Sequence, residues 1–385
     1  MRKQNKNEKT VLQPVLFLIV LVAFISLFAI PMGLSNMLNT MMNTAYRLLM
    51  DTAFYIMAIA VIAGAFSALL TEFGVVDLLN KLLSPLMRPL YGLPGAAALG
   101  IVTTYLSDNP AILTLADDLD FRKYFKAYQI PALTNLGTAF GMGLIVSSFV
   151  LGLSGSLGPQ TGLAVICGNL GAVAGSVVST RLMLRGTKKI IGTADQAVIT
   201  CTSRAEGSAE KSKQTGWIRV LDALVTGGKK GVDLGLGIVP GVLIICTIVM
   251  MLTNGSAAGG YTGAAYEGIG LLPKAAGLLE PVLQPLFGFS DAACIAVPVT
   301  ALGSAGAALG MIPRLLEAGQ ATCRDVAVFV AMCMCWSGYL STHVSMMDVL
   351  RCSHFTGRAI LSHTIGGIAA GVAANWLFRL FMLLG

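Results

Sequence analysis

Apolar residues fall into seven long blocks, at 15–30, 54–70, 130–153, 162–184, 234–252, 325–344 and 359–384. Each is near or above the roughly 20 residues a helix needs to cross about 30 Å of hydrocarbon, so each predicts a membrane span. Between the spans lies a segment that occurs twice, as "LLSPLMRPLYG" at 82–92 and "LLEPVLQPLFG" at 278–288. Prolines four apart share one helical face. The pattern predicts an interfacial helix, with Leu82, Leu83, Leu86 and Leu90 toward lipid or core and Lys81 and Arg88 toward water. A kinked packing helix without a functional role is the plainer reading of either copy alone.

Each copy leads into an apolar stretch containing breakers. In 93–118 the breaker is Asp108-Asn109-Pro110, a turn-favouring pair followed by a residue that lacks a backbone donor. In the second copy it is Pro298 with Gly303-Ser304-Ala305-Gly306. Both are predicted to be re-entrant helical hairpins, and at the offset of the proline match their tips, Ser107-Asp108-Asn109 and Gly303-Ser304-Ala305, coincide. Irregular backbone at membrane depth needs protein or water around it, so each tip should face a polar site.

Composition supports the membrane reading: 55% of the 385 residues are hydrophobic and 12% are charged, about half the charged fraction of a soluble domain. The net charge of +7 sits mainly before the first span and in the polar stretch 185–230. Both should be cytoplasmic, with 202–216 a flexible linker. This topology accounts for the basic residues without a nucleic-acid partner. It also decides the first hairpin, because a single crossing at 93–118 would carry the basic stretch to the outside. By span counting, the second copy then threads the bilayer in the opposite sense.

The fold class predicted is an all-α integral membrane protein: an inverted repeat of two units, each with an interfacial Pro-x-x-x-Pro helix, a re-entrant hairpin and a broken transmembrane helix. The divisions are 1–50 (basic tail, first span and connecting helix), 51–184 (first unit plus an additional span), 185–230 (cytoplasmic linker), 231–350 (second unit, inverted) and 351–385 (last span). The protein is expected to be multi-pass in the cell membrane, with its N-terminus cytoplasmic.

Segments 82–112 and 278–310 resemble two copies of the nucleoside-recognition, or Gate, domain. That domain occurs in concentrative nucleoside transporters, in the membrane part of ferrous-iron transport protein B, in spore maturation proteins A and B, and in a sporulation membrane protein linked to dipicolinate transport. The resemblance covers most of 51–153 and 234–350. It implies a transport architecture and, through the sporulation proteins, a noncatalytic assembly scaffold as the alternative. The absence of GxxxxGK[ST] removes the GTPase of the iron transporter.

Among candidate binding residues, Asp108 comes first, since an ionised group at membrane depth needs a cation, a polar solute or a proton. Ser107 and Asn109 flank it. The alternative is that Asp108 caps the second hairpin helix. Thr134, Asn135 and Thr138 interrupt one span, and Ser337, Ser341 and His343 another; interhelical hydrogen bonding is the structural alternative for both groups. Gly338 can be matched to Gly137 if a short insertion is allowed. Gly303 and Ser304 complete the set at the second tip. His343 is read as a proton carrier or a satisfied structural histidine, with His354 and His363 scattered elsewhere. Asn169 ranks lower, among glycines suited to close packing. Asp117, Asp118 and Asp120 read as a solvated turn, and Cys333-Met334-Cys335 as packing.

No enzyme activity, metal or cofactor is expected. The partners predicted are a small polar solute and the lipid bilayer. The coupling ion, Na⁺ or H⁺, and homo-oligomerisation are left open.

Overall fold

The computed structural model describes residues 4–109, 111–112, 119–192, 216–257 and 259–384. The chain is an all-α, multi-span membrane protein. Among the described residues, six helices are long and apolar enough to cross a bilayer: Leu12–Met32, Leu34–Glu72, Ala127–Gly152, Thr161–Ile191, Gly216–Thr253 and Ser353–Leu384. The pair Glu280–Phe287 and Ala292–Ala301 is apolar too, but bent by 74°.

Helices that hold corresponding places in the two halves pack antiparallel. Thr161–Ile191 lies along Thr356–Leu384, with Gly171 against Ala374, Gly175 against Gly366 and Ala370, and Gly186 against Arg358. Gly216–Pro240 lies along Phe54–Glu72 in the same way, Gly227 meeting Gly64 and Gly235 meeting Met57. Small residues let these backbones touch, which is how helices associate where lipid offers no hydrophobic drive. A Cβ at Gly64 would lie 2.5 Å from the Gly227 carbonyl oxygen, and backbone cannot yield. Gly64→Ala is therefore expected to cost about 1–3 kcal/mol by forcing the helices apart. Thermal unfolding in detergent checks this, with Gly237→Ala, whose Cβ would meet nothing within 4 Å, as the neutral control.

The basic stretch 185–230 is thus narrower as a linker than its charge suggested. Helices Thr161–Ile191 and Gly216–Pro240 take in both its ends, and Arg219 pairs with Glu72 (Nε to Oε1, 2.7 Å). Residues 193–215 lie outside the described residues.

The spans expected at 130–153 and 325–344 are both broken. Ile130–Thr138 is followed by Gly143–Gly152, and Cys323–Cys335 by Tyr339–Val349. Each piece packs on the opposite piece of the other span, so the two breaks cross. At the crossing, the Cys335 thiol lies 3.8 Å from the Ala139 carbonyl, and these residues are 196 apart in sequence. The same spacing relates left-handed backbone at Gly74 and Gly270, Gly92 and Gly288, and Met142 and Gly338. Gly338 therefore corresponds to Met142 with no insertion, rather than to Gly137. The antiparallel pairing and constant offset are consistent with an inverted repeat.

The second hairpin is Ala296–Ala301 and Ala305–Glu317. Thr300 reaches Met311 (3.2 Å) and Cys294 reaches the Gln320 carbonyl (3.3 Å), so its arms run antiparallel. In the first hairpin, Ala97–Leu106 ends at Ser107, and Ile112 is already folded back against Gly100. Pro110 and residues 113–118, including Asp117 and Asp118, lie outside the described residues.

On one face, segment 254–270 rests on Leu34–Arg47. Asn36 and Asn43 donate to the carbonyls of Tyr261 (3.1 Å) and Gly263 (2.9 Å), and Thr44 accepts the Tyr266 N–H (2.8 Å). Within the segment, Glu267 accepts the Thr262 hydroxyl (2.7 Å) and the N–H groups of Thr262 and Gly263 (3.1 and 3.0 Å). Burial opposes its ionisation, but these donors outweigh burial and hold the carboxyl below its ordinary 4.5. A depressed folded value stabilises above the unfolded pKa, and that contribution is lost as pH falls through the folded value. Acidification below about pH 4.5 should loosen this segment, seen as faster hydrogen exchange at Thr262 and Gly263, and Glu267→Gln should remove the acid dependence.

Candidate functional site at the crossing of two broken helices

Both hairpin tips close on the break in the second broken span. At the first tip, Asn109 is buried and its amide Nδ2 donates to the Ser337 carbonyl at 2.6 Å. At the second, the Gly338 N–H donates to the Ala301 carbonyl at 3.0 Å, and a Cβ at Gly338 would lie 3.1 Å from the Gly303 carbonyl oxygen. Gly338 holds φ of 63°, so a side chain there meets both backbone strain and the opposing tip.

Gly141, in the break of the first span, completes the junction. A Cβ there would overlap Asn109 Oδ1 and lie 3.0 Å from Ser337 Cβ. The missing side chain is what admits Asn109. Asn109 Oδ1 is itself buried and has no hydrogen-bond partner among the described residues. An unpaired buried acceptor costs about 1–3 kcal/mol, so this oxygen is an available ligand for a donor or a cation.

Asp108 is partly exposed beside it, and its Oδ1 accepts the Asn109 N–H at 2.7 Å. That bond comes from its immediate neighbour, and most of the returning arm that Asp108 would cap lies outside the described residues. Ser107 and Gly303 are the exposed residues of the two tips. Ser304 caps the returning arm of the second hairpin, its Oγ accepting the Ala307 N–H at 3.2 Å, and it packs against Gly241 in the π-helical turn Gly241–Cys246.

The polar clusters that interrupt the spans divide between roles. Thr138 donates to the Thr134 carbonyl at 2.9 Å and approaches Met346 Sδ at 3.7 Å, while the buried Thr134 hydroxyl has no partner. Asn135 turns away from the tips: its Nδ2 donates to Ser179 Oγ (2.9 Å) and to the Ala359 carbonyl (3.1 Å). It ties the two long helices together. The side chain of Ser341 lies outside the described residues. Asn169 bonds Ser147 Oγ and the Val165 carbonyl.

His343 is fully buried, and neither ring nitrogen has a close hydrogen-bond partner among the described residues. It has company, however. The ring of His363 lies 4.6 Å away and that of Tyr339 5.5 Å away. His363 Nδ1 bonds Ser179 Oγ at 2.9 Å and Nε2 contacts the Cys335 carbonyl. Since a carbonyl can only accept, Nε2 carries the proton and Nδ1 accepts from Ser179. The result is a directed chain from Asn135 through Ser179 and His363 to Cys335. Replacing His363 with alanine strands Ser179 and the Cys335 carbonyl in the core. The expected loss is about 2–5 kcal/mol, read as a lower unfolding midpoint in detergent.

Two residues of this region had no sequence signal strong enough to single them out. Gly141 is one glycine in "GTAFGMG", and its role depends on Asn109 arriving from another element. His363 sits in an apolar span, 20 residues from His343, and only the packing of Thr356–Leu384 on Tyr339–Val349 brings them together.

No protein-family model and no curated protein matches the chain. Solved structures do. The chain is similar to CNTnw in an inward-facing substrate-bound state, with a TM-score of 0.56 and 16% identity, covering 85% of this chain and 75% of that one. It is also similar to two doubly substituted forms of CNTnw in an outward-facing state, with TM-scores of 0.56 and 0.51, 16% identity, and coverage of 85% of this chain and 76% of those. At that level of identity the likeness is one of architecture, and the chain shares the fold of CNTnw.

Proposed function

We propose that this protein is a secondary transporter that moves a small polar solute across the cell membrane by alternating access, its halves forming an inverted repeat of two Gate-like units. The observation that carries the reading is the junction at Ser337-Gly338. Two hairpin tips from opposite halves meet there, and the buried Asn109 Oδ1 is left without a partner. Discontinuous helices place such groups where either half can open without the other. The shared fold with CNTnw, a protein seen in inward- and outward-facing states, supports it.

In this reading Ser107, Asp108 and Asn109 bind the solute or a coupling Na⁺ or H⁺ from the first tip, and Gly303 and Ser304 from the second. Thr134, Thr138, Ser337 and His343 line the crossing, Ser341 is proposed to add to the binding set, and Asn135 braces the crossing from behind. The solute class is nucleoside-like, carboxylate or amino-acid-like, and the N-terminus is cytoplasmic.

A thermal-shift screen of such solutes, with and without Na⁺ and across pH, identifies the ligand, because binding to the folded state raises Tm. Uptake of that solute into proteoliposomes, reduced in Asp108→Ala, is the expected result. A well-folded protein that neither binds nor moves any of these solutes contradicts the proposal and favours the scaffold reading.

A further inference from the structure

Away from the crossing, a cleft of about 520 Å³ opens between the start of Cys323–Cys335 and the end of Thr356–Leu384. Arg324 and Arg379 line it from separate helices, with Gln160 at the start of Thr161–Ile191. Neither arginine has a carboxylate partner among the described residues. Arg324 Nε is buried without a hydrogen-bond acceptor, and the Arg379 guanidinium lies 5.1 Å over the ring of Trp376. The adjacent acid cannot serve them. Asp325 already accepts from the N–H and hydroxyl of Ser290 (2.8 and 2.7 Å) and from the N–H and hydroxyl of Thr322 (2.8 and 2.5 Å).

Two guanidinium groups therefore line one space with no ion-pair partner among the described residues. Planar arginine forks match the paired oxygens of phosphate, and an unpaired cation at a low-dielectric surface is stabilised by an arriving anion. Beside Arg379 on the same helix the cleft wall is apolar, formed by Phe378, Met382 and Leu383, of which Leu383 is 84% exposed. These residues lie in the last turns of a membrane span, at the depth where phospholipid headgroups meet their acyl chains.

We infer that this cleft binds an anionic phospholipid, its phosphate held by Arg324 and Arg379 and its acyl chain laid along Phe378, Met382 and Leu383. A free phosphate ion would use the arginines but not the apolar wall. The inference is independent of the transport reading, since it concerns only how the end of the bundle meets the bilayer.

Native mass spectrometry of protein released from nanodiscs tests it, with phosphatidylglycerol and phosphatidylcholine as the probes. The wild-type protein should retain a phosphatidylglycerol adduct at least about tenfold more than a phosphatidylcholine adduct. Arg324→Gln/Arg379→Gln should lose that preference while keeping its unfolding midpoint in lipid-free detergent. Cys323 gives a second readout, being partly exposed at the same cleft. In a Cys201→Ser background, maleimide labelling of Cys323 should slow several-fold in phosphatidylglycerol discs and not in phosphatidylcholine discs. Equal retention of the two lipids, retention unchanged in the double variant, or displacement of the adduct by millimolar inorganic phosphate overturns the inference.

Discussion

An Asn109→Ala protein is expected to fold and to lose about tenfold or more of its uptake of the solute that stabilises the wild-type protein. The substitution removes the 2.6 Å bond from Nδ2 to the Ser337 carbonyl and leaves that acceptor buried. An unsatisfied buried acceptor costs about 1–3 kcal/mol, and each 1.4 kcal/mol is tenfold in an equilibrium. The cost falls on the arrangement in which the first tip is docked on the broken span, so the docked state loses population. The hairpin arms and the long-helix seams are untouched, and the unfolding midpoint should move by only a few degrees. Uptake kinetics and thermal unfolding, measured on the same preparation, check both halves of the expectation. Uptake unchanged by the substitution would remove Asn109 from the site.

Gly141→Ala should be as damaging for the opposite reason, by adding atoms. The new methyl would overlap Asn109 Oδ1, lie 2.8 Å from Asn109 Cγ and come within 3.0 Å of Ser337 Cβ. Asn109 cannot retreat without breaking its bond to Ser337. Overpacking of this kind costs about 1–3 kcal/mol, to which the lost hydrogen bond adds. Because both substitutions act on one contact, their effects should not add. In the Asn109→Ala background the overlap with Oδ1 and Cγ is gone and the 3.0 Å approach to Ser337 Cβ remains, so a double-mutant cycle should return a coupling energy of about 1 kcal/mol or more. Additive effects would show that Gly141 matters for some reason other than admitting Asn109.

The parts of this fold legible in the sequence are those whose local chemistry enforces them. Asp108-Asn109 and Gly303-Ser304 interrupt helices by turn preference and capping, and both lie at tips in the structure. The small residues at Gly171 and Gly175 also keep their local meaning, since close packing is all they do. What could not be read depends on partners brought by the fold. Asn135 shares a helical face with Thr138, yet its amide is claimed by Ser179 and Ala359 on two other helices. Met142 adopts left-handed backbone, a conformation uncommon for a side-chain-bearing residue, so the first break carries no glycine at the position where the second has Gly338. The helix Gly216–Pro240 is hidden in the sequence by Arg219, Lys229 and Lys230, although Gly227, Gly231 and Gly235, spaced four apart, are the signature of the seam it forms.

The central claim is that the two halves thread the membrane in opposite senses and so bring two hairpin tips to one junction. Single cysteines introduced as Arg122→Cys and Arg324→Cys, in a background freed of reactive native cysteines, test it by labelling intact vesicles with a membrane-impermeant maleimide. The account predicts that position 122 reacts from the cytoplasmic face and position 324 from the opposite one. Labelling of both positions from the same face would contradict it.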